Sequence, residues 1–350
     1  MMTDLIDFEG LASCYVAENR LIEHSVQLTT NIHYKKESGD VMAVGNKAVH
    51  TSSLWMHVRK EWKLYSFLVI PVLYFLIFKY APMLGNVIAF RKYRGGPNLF
   101  GSEWVGLSYF RKFMNDPTFW RAFKNDLVLS VTYLCFRFPL TLIFALLLNE
   151  LVRMRVKKLV QTISYLPHFI SMVIVAGMIK EMVSLNGPIN ALLANLGFSK
   201  IAFISLPQWF PTIYVTSGIW QGLGWGTILY LAAMTSINTE LYEAAKIDGA
   251  SRFRLALHVT IPGILPTIMT LLILDIGGIL GSNFEKILLL YNPLTYETAD
   301  VISTYVYRMG ITGGNFSFAT AVGLFEGVIG LILVTIANQI SKKTTNSSLW

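Results

Sequence analysis

The chain has only two cysteines among its 350 residues, Cys14 and Cys135, which excludes a disulfide framework and a zinc site built on cysteine pairs. Its six histidines are scattered, and no group of histidine, cysteine and carboxylate residues has the spacing of metal ligands. A Gly-x-x-x-x-Gly-Lys-Ser/Thr phosphate loop is also absent, so we expect that this chain does not itself hydrolyse ATP. An enzymatic function therefore has no residues to carry it.

Charged residues are scarce as well. They make up 14% of the chain, against 53% hydrophobic residues, and the mean hydropathy is +0.50, which is outside the usual range of soluble proteins. Six apolar runs are long enough to cross a membrane as helices. They lie at roughly 64–90, 127–149, 159–181, 211–235, 262–283 and 318–340. We therefore predict an all-α membrane protein with six transmembrane helices.

The net charge of +8 is better explained by basic residues that flank these runs than by nucleic-acid binding. Three basic clusters share one side of the membrane if both termini are cytoplasmic, as the positive-inside rule favours. They comprise Arg153, Arg155, Lys157 and Lys158; Lys246, Arg252 and Arg254; and Lys342 and Lys343. Residues 1–60 are predominantly polar and lack a signal peptide, so we predict a cytoplasmic N-terminal extension before a membrane domain over 61–345.

The connection 91–126 is external in this topology, although it carries an excess of positive charge. Its basic residues are Arg91, Lys92, Arg94, Arg111, Lys112, Arg121 and Lys124, and its acidic residues are Glu103, Asp116 and Asp126, which gives 7 − 3 = +4. This charge has two possible uses, which the sequence leaves open. It could dock acidic patches of a partner protein, or it could attract an anionic substrate.

A polar island, EAAKIDGASRFRLALHVTIPGILP, separates the fourth and fifth apolar runs. It begins with good helix formers at Glu243 to Lys246. Gly249 then permits a left-handed turn, and a second helical piece is expected to end at Pro262, with Ile261 extended before the proline. Two short helices joined by a glycine would form a compact knob. The alternative is an ordinary cytoplasmic loop.

The spacing of this island, Glu-Ala-Ala, three residues, Gly, nine residues, Val, one residue and Ile-Pro, closely resembles the coupling loop of ABC importer permeases. The resemblance covers about five-sixths of the chain, from Glu61 onward. It is to the carbohydrate permeases of the type I, maltose-transporter-like fold, in a branch that handles complex oligosaccharides. The stretches that carry it further are KEWKLYSFLVIPVLYFLIFKYAPM, KKLVQTISYLPHFIS, FEKILLLYNP, ADVISTYVYR and the terminal SLW.

This resemblance implies an ATP-driven oligosaccharide importer in a bacterial plasma membrane. The implied partners are a second permease that completes a heterodimer, two ATPase subunits that bind ATP and Mg²⁺, and an extracytoplasmic solute-binding protein. Segment 240–262, hereafter the coupling segment, would receive movement from an ATPase. Glu243 would anchor it, Ala244 and Ala245 would allow close approach, Gly249 would make the turn, and Pro262 would close it.

The resemblance also implies a sugar pathway on the spans that flank the coupling segment. The matching positions are Trp220, Gln221 and Trp225 in span four, and Asn283 and Glu285 at the end of span five. Sugars need aromatic faces for their C–H surfaces and polar groups for their hydroxyls, and these residue types supply both. The alternative for the tryptophans is a packing or membrane-interface role.

Two charges lie near mid-span, Arg137 in span two and Asp275 in span five. Charges at this depth normally face the interior of a helix bundle and pair, so we predict that these two pair with each other or line the pathway. His168 is the only histidine within a predicted span, and we interpret it as a packing residue.

The substrate is left open between a neutral oligosaccharide and an acidic one, such as alginate or another uronic-acid oligosaccharide. A rival interpretation is a stand-alone secondary transporter or channel for a small solute. Such a protein is expected to have a membrane carboxylate relay or paired broken helices. Only Asp275 and Glu285 are available for a relay, and neither explains the Glu-Ala-Ala island.

Overall fold

The computed structural model describes residues 61–345 apart from 94, 97 and 99. The predicted N-terminal extension 1–60 and the terminal SLW lie outside the described residues. The chain divides into two units, Met1–Leu73 and Tyr74–Trp350. The described part of the first unit is the beginning of one helix, and the second unit holds the remaining elements.

The described residues are helical, as predicted, and their only β-type pairing is an isolated bridge between Arg91 and Trp104. The helices are α1 (Trp62–Phe75), α2 (Ser108–Met114), α3 (Pro117–Asn149), α4 (Met154–Tyr165), α5 (Met172–Met182), α6 (Pro188–Asn195), α7 (Phe210–Thr235), α8 (Thr239–Ile247), α9 (Arg252–Leu255), α10 (Leu265–Gly277), α11 (Phe284–Leu290), α12 (Tyr296–Ala299), α13 (Ile302–Val306) and α14 (Phe316–Thr345). Single turns lie at Ala81–Met83 and Ile261–Gly263, π-helical segments at Leu76–Tyr80, Ala256–Thr260 and Tyr307–Thr312, and 3₁₀ segments at Leu84–Phe90, Leu166–Phe169, Phe203–Ser205, Pro207–Trp209 and Pro293–Thr295.

Three helical stretches of the described chain are long and apolar enough to cross a membrane: Tyr65–Phe90, Pro117–Asn149 and Phe316–Lys343. Two bent pairs raise the number to five if each pair is one span. These are Met154–Phe169 with Met172–Met182, and Arg252–Gly263 with Leu265–Gly277. Helix α7, which coincides with the fourth predicted span, is not among them. The count of six spans and the cytoplasmic position of the termini therefore stay predictions.

The third predicted span, 159–181, is not one continuous helix, because α4 and α5 meet at 99°. Pro167 has no N–H to donate to a helical ladder. The chain passes through a 3₁₀ turn there and becomes extended at Ile170, with φ −77° and ψ 133°. A new helix then begins after Ser171. The break directs the Leu166–Phe169 turn toward α7 instead of continuing the helix.

Spans two and five also differ from their predicted limits. Helix α3 begins at Pro117, ten residues before the predicted start, because the Asp116 side chain accepts a hydrogen bond from the Thr118 N–H at 2.8 Å and caps it. Helix α10 ends at Gly277, not at residue 283. The glycine-rich stretch 277–281 disfavours a continued helix, and it leaves an irregular segment before α11.

The buried side chains form three clusters, and two of them involve α7. One joins α3, α5, α7 and α11 through residues that include Leu129, Val175, Tyr214 and Ile287. Another joins α3, α7 and α10 through Ala145, Tyr230, Met234, Ile264 and Ile268. The third is aromatic and includes Phe113, Phe119, Tyr305 and Phe318. Helix α7 is thus held between α3 on one side and the α10–α11 region on the other.

Candidate functional site

A cavity of about 600 Å³ lies between α3, α7, α10 and the loop before α11. Its lining residues come from five parts of the chain and combine aromatic, polar and charged groups. They include Ser130, Tyr133, Arg137, His168, Tyr214, Gly218, Gln221, Trp225, Asp275, Ser282, Asn283 and Lys286. Its volume is in the range of pockets that hold small organic ligands, and its hydroxyl, amide and aromatic groups suit a sugar.

The Trp225 indole forms part of the cavity wall and stacks on a histidine. The ring centroids of Trp225 and His168 lie 4.5 Å apart with an interplanar angle of 4°, and Phe169 meets the indole edge-on at 5.6 Å. The break between α4 and α5 supplies both His168 and Phe169. His168 therefore packs against Trp225, and this ring contact lies in the cavity wall. The interpretation of His168 as a packing residue had not placed it at the cavity.

The structure brings together three of the five predicted pathway residues, since Gln221, Trp225 and Asn283 all line the cavity. Trp220 lies instead on a separate apolar pocket of about 370 Å³ between α5, α6 and α7. Glu285 is exposed and is not among the residues of the cavity wall. The placement of Trp220 and Glu285 therefore does not support a pathway role for either.

Asn283 also has a structural task, because it caps α11. Its side-chain oxygen accepts a hydrogen bond from the Lys286 N–H at 3.0 Å, and its own N–H donates to the Tyr214 hydroxyl at 3.1 Å. These bonds fix the beginning of α11 against α7. The cap orients the first turn of α11 beside the cavity.

Arg137 and Asp275 form an ion pair across the cavity wall, with 3.3 Å between Arg137 Nη1 and Asp275 Oδ1. The guanidinium also lies over the Tyr133 ring at 5.6 Å. Both charged residues line the cavity. The pair therefore joins α3 to α10 and gives the wall a polar patch of low net charge.

The sequence reasoning did not single out two charged residues, Lys286 and Glu326. Lys286 is buried beside the cavity, and Glu326 lies on α14 within the sixth predicted span. Lys286 interrupts the run Phe284–Leu290 after the predicted end of span five, which was the available signal. Glu326 was visible as a carboxylate in an apolar run, although it is not among the cavity residues.

Glycines let α7 approach its neighbours closely. A methyl group at Gly224 would overlap the backbone carbonyl of Ser164 in α4, and one at Gly226 would lie 2.8 Å from the Thr141 methyl carbon in α3. These distances are shorter than a van der Waals contact. The positions of α4 and α3 against the cavity helix therefore depend on the absence of side chains at these two sites.

The coupling segment folds as two helices around a glycine. Helix α8 begins after Asn238, whose side chain accepts from the Glu240 N–H at 3.0 Å. Gly249 has φ +75°, a left-handed conformation that side chains disfavour. A hydrogen bond of 2.9 Å between the hydroxyls of Tyr242 and Thr260 joins the two halves. The segment is thus a compact unit.

The predicted helix end at Pro262 is wrong. Ile261 is helical, with φ −59° and ψ −49°, and the helical backbone continues to Gly263. The π-helical turn Ala256–Thr260 precedes the proline, and the Ile261 N–H bonds to the Ala256 carbonyl. The Pro262 ring would crowd a regular helix, and proline has no N–H to donate to the helical ladder. The wider π-helical turn before it accommodates both features. The second half of the segment therefore leads into α10 with one bend of 67°.

The surface of the coupling segment is apolar in places. Ile247 is 86% exposed and Phe253 is 73% exposed. Glu243 and Ala244 are exposed and Ala245 is half-buried. Exposed apolar side chains beside small residues and charges are typical of a surface that another protein covers.

Part of the basic charge at 91–126 is engaged within the chain. Lys92 lies 3.5 Å from Glu103, and the Arg91 guanidinium donates to the Ser102 carbonyl at 3.2 Å. Arg121 and Lys124 lie on α3, not in a loop. Arg94 lies outside the described residues.

Comparison with known proteins identifies the family. Residues 137–346 match the model of the family described as binding-protein-dependent transport system inner membrane component. The chain belongs to this family. It is a membrane permease of a sugar or oligosaccharide ABC importer, from a family whose members are typically non-catalytic, and this membership replaces the alternative of a stand-alone transporter or channel.

The permease has close relatives in Bacillus subtilis. It is 45% identical to protein LplB over 90% of this chain and 98% of that protein. It is 46% identical to the polygalacturonan/rhamnogalacturonan transport system permease protein YteP over 80% and 88% of the two chains. A crystal structure of a bacterial ABC transporter that imports the acidic polysaccharide alginate is 44% identical, with a TM-score of 0.76 over 83% of this chain and 99% of that chain.

A second structure of the alginate transporter, in complex with a periplasmic protein bound to alginate pentasaccharide, is 43% identical. Its TM-score is 0.77 over 85% of this chain and 99% of that chain. Identity and coverage of this extent establish the type I permease fold.

Proposed function

We propose that this permease moves an oligosaccharide that carries carboxylate groups through the cavity, and that the coupling segment connects this movement to ATP hydrolysis by partner subunits. Its complex would contain a second permease, two ATPase subunits that hold ATP and Mg²⁺, and a solute-binding protein outside the bacterial plasma membrane. Six spans with both termini in the cytoplasm put the coupling segment on the side of the ATPases.

One observation carries the coupling proposal: the two helices that flank the coupling segment also line the cavity. Helix α7 ends at Thr235, shortly before α8, and carries Gln221 and Trp225. Helix α10 follows the segment and carries Asp275. A rigid displacement of the segment would therefore shift both walls of the cavity together.

In the proposed mechanism, closure of the ATPase dimer moves the coupling segment as a rigid body. Glu243 anchors the segment by hydrogen bonds or charge pairing, and Ala244 and Ala245 allow close approach to the ATPase surface. Gly249 sets the angle between the two halves, and the turn at Pro262 passes the movement to α10. The two flanking helices then switch the cavity between inward-open and outward-open forms.

Replacement of Gly249 by valine should separate ATP hydrolysis from transport. A β-branched residue at φ +75° is strained by about 1–2 kcal/mol or more, so the two halves of the segment would change their angle. We expect the assembled complex to hydrolyse ATP while its transport in proteoliposomes falls at least about tenfold.

Gly249→Asn is the matched control, because asparagine tolerates the left-handed conformation and nothing lies within 4 Å of the added side-chain position. It should keep most of the transport. Normal transport by the valine variant would count against the proposed role of the segment.

The charge of the cavity supports an acidic substrate. Its wall contains the basic residues Arg137 and Lys286 and the single acidic residue Asp275. Two of the similar proteins point the same way, since polygalacturonan is a uronic-acid polymer and alginate is an acidic polysaccharide. The basic residues at 91–126 could contribute by substrate attraction or by docking the solute-binding protein.

The direct test uses the full complex in proteoliposomes with its solute-binding protein. Oligogalacturonides and alginate oligosaccharides would be compared with the same compounds after chemical reduction of their carboxyl groups. We expect an acidic oligosaccharide to be transported and to stimulate ATP hydrolysis more than its reduced form. Preference for the reduced, neutral forms would refute the acidic substrate.

A further inference from the structure

Lys286 is a buried lysine without a carboxylate partner in the described part of the chain. Its side chain is 2% exposed. Its ammonium donates one hydrogen bond, to the Tyr214 carbonyl at 2.9 Å, and lies 4.9 Å from the centre of the Tyr214 ring. An ammonium has three N–H donors. Two of them therefore find no acceptor among the described residues.

The Lys286 ammonium lies on the cavity wall, and a glycine of α7 leaves space beside it. Lys286 lines the cavity together with Gly218 of α7. A methyl group at Gly218 would lie 3.2 Å from Lys286 Nζ, so a side chain there would crowd the ammonium. The absence of one keeps the approach from the cavity open.

The other charges near the cavity do not pair with Lys286 in the described part of the chain. Arg137 is paired with Asp275 at 3.3 Å. Asp126 accepts a hydrogen bond from Ser282 through Oδ1, its Oδ2 has no hydrogen-bond partner among the described residues, and it is not among the residues of the cavity wall. The Asn283 side-chain oxygen accepts from the backbone N–H of residue 286 and not from its ammonium. An anion that pairs with Lys286 would therefore have to enter the cavity.

We propose that Lys286 binds a carboxylate of the transported oligosaccharide and so determines the preference for acidic over neutral sugars. This assignment rests on the proposed function. A carboxylate can accept both remaining N–H donors, and charge-assisted hydrogen bonds are strong in a desolvated site. A neutral sugar lacks the charge, so the buried ammonium stays uncompensated when such a sugar is bound. This difference makes Lys286 a specificity-determining residue.

The experiment measures equilibrium binding to the purified complex in nanodiscs, without the solute-binding protein, so that the readout reports the permease. The probes are a uronic-acid oligosaccharide and its carboxyl-reduced form. The variants are Lys286→Met, which keeps the length and removes the charge, and Lys286→Arg, which keeps the charge. Lys180→Met on α5 is the control, because this lysine is exposed and does not line the cavity.

We expect Lys286→Met to raise the Kd of the acidic oligosaccharide at least about tenfold and to leave the Kd of the reduced form unchanged. Lys286→Arg should recover most of the affinity, and Lys180→Met should bind like the wild type. An unchanged Kd for the acidic sugar, or an equal rise for both sugars, would overturn the assignment. If the Kd of both sugars rises equally and the second permease no longer co-purifies with the Lys286→Met variant, Lys286 is an assembly residue and the assignment is also overturned.

Failure of this assignment can be separated from failure of the proposed function. If the wild type transports acidic oligosaccharides and Lys286→Met binds them equally well, only the role of Lys286 is wrong. If the wild type neither binds nor transports them, the acidic substrate itself is wrong.

Discussion

Replacement of Gly224 by alanine is expected to lower transport more than tenfold and to reduce the thermal stability of the complex. The added methyl group would overlap the Ser164 carbonyl, which belongs to the backbone and cannot move away by a rotamer change. Overpacking of a tight contact costs about 1–3 kcal/mol. Relief would require α4 to move away from α7, and the adjacent break that carries His168 would move with it.

Gly177→Ala is the matched control for this substitution. Gly177 is also a helical glycine, but nothing lies within 4 Å of its added methyl position, and alanine favours a helix more than glycine does. Transport rate and melting temperature measured for both variants separate a local steric effect from a general effect of a mutated glycine. Wild-type behaviour of Gly224→Ala would show that the close approach of α4 and α7 is unimportant.

Charge reversal at the Arg137–Asp275 pair should have a comparable effect. The Arg137→Asp substitution would put a second carboxylate opposite Asp275. In the wild type, Arg137 Nη1 and Asp275 Oδ1 are 3.3 Å apart. Breaking a buried pair costs about 3–5 kcal/mol, and the exposure of roughly a quarter of each side chain lowers this figure. We expect each single reversal to lower transport or assembly at least about tenfold.

The double variant Arg137→Asp with Asp275→Arg is the test of direct pairing, because it restores one charge of each sign on α3 and α10. Assembled complex is measured by co-purification of the second permease, and function by transport in proteoliposomes. Recovery relative to both single variants is the expected result. A double variant as impaired as the worse single variant would argue that each charge acts with a different partner.

The long apolar helices of this permease could be predicted from the sequence, because a long run of apolar residues by itself indicates a membrane-spanning helix. The predicted fourth run, 211–235, differs by one residue from α7, and the predicted sixth run, 318–340, lies inside α14. The turn at Gly249 was also predictable, since a glycine between two helical stretches indicates a left-handed residue. These features depend on local chemistry.

The breaks and the complete cavity could not be predicted in the same way. Hydropathy reports length and polarity, and it does not report the direction of a helix axis, so the 99° bend between α4 and α5 stayed hidden although Pro167 was visible. The glycine-rich stretch 277–281 was likewise included in the predicted fifth span, 262–283. The side chain of Lys286 reaches the cavity only through the packing of α11 against α7, a tertiary arrangement that no local pattern encodes.

The central claim is that the coupling segment receives movement from an ATPase, and photo-cross-linking from Phe253 tests it most directly. Phe253 is 73% exposed. The matched control is Leu294, which is 67% exposed and lies between the fifth and sixth predicted spans, on the external side if both termini are cytoplasmic. With a photoreactive amino acid at each position in the intact complex, we predict an adduct with an ATPase subunit from position 253 and none from position 294. Absence of an ATPase adduct at position 253, or its formation from position 294, would contradict the account.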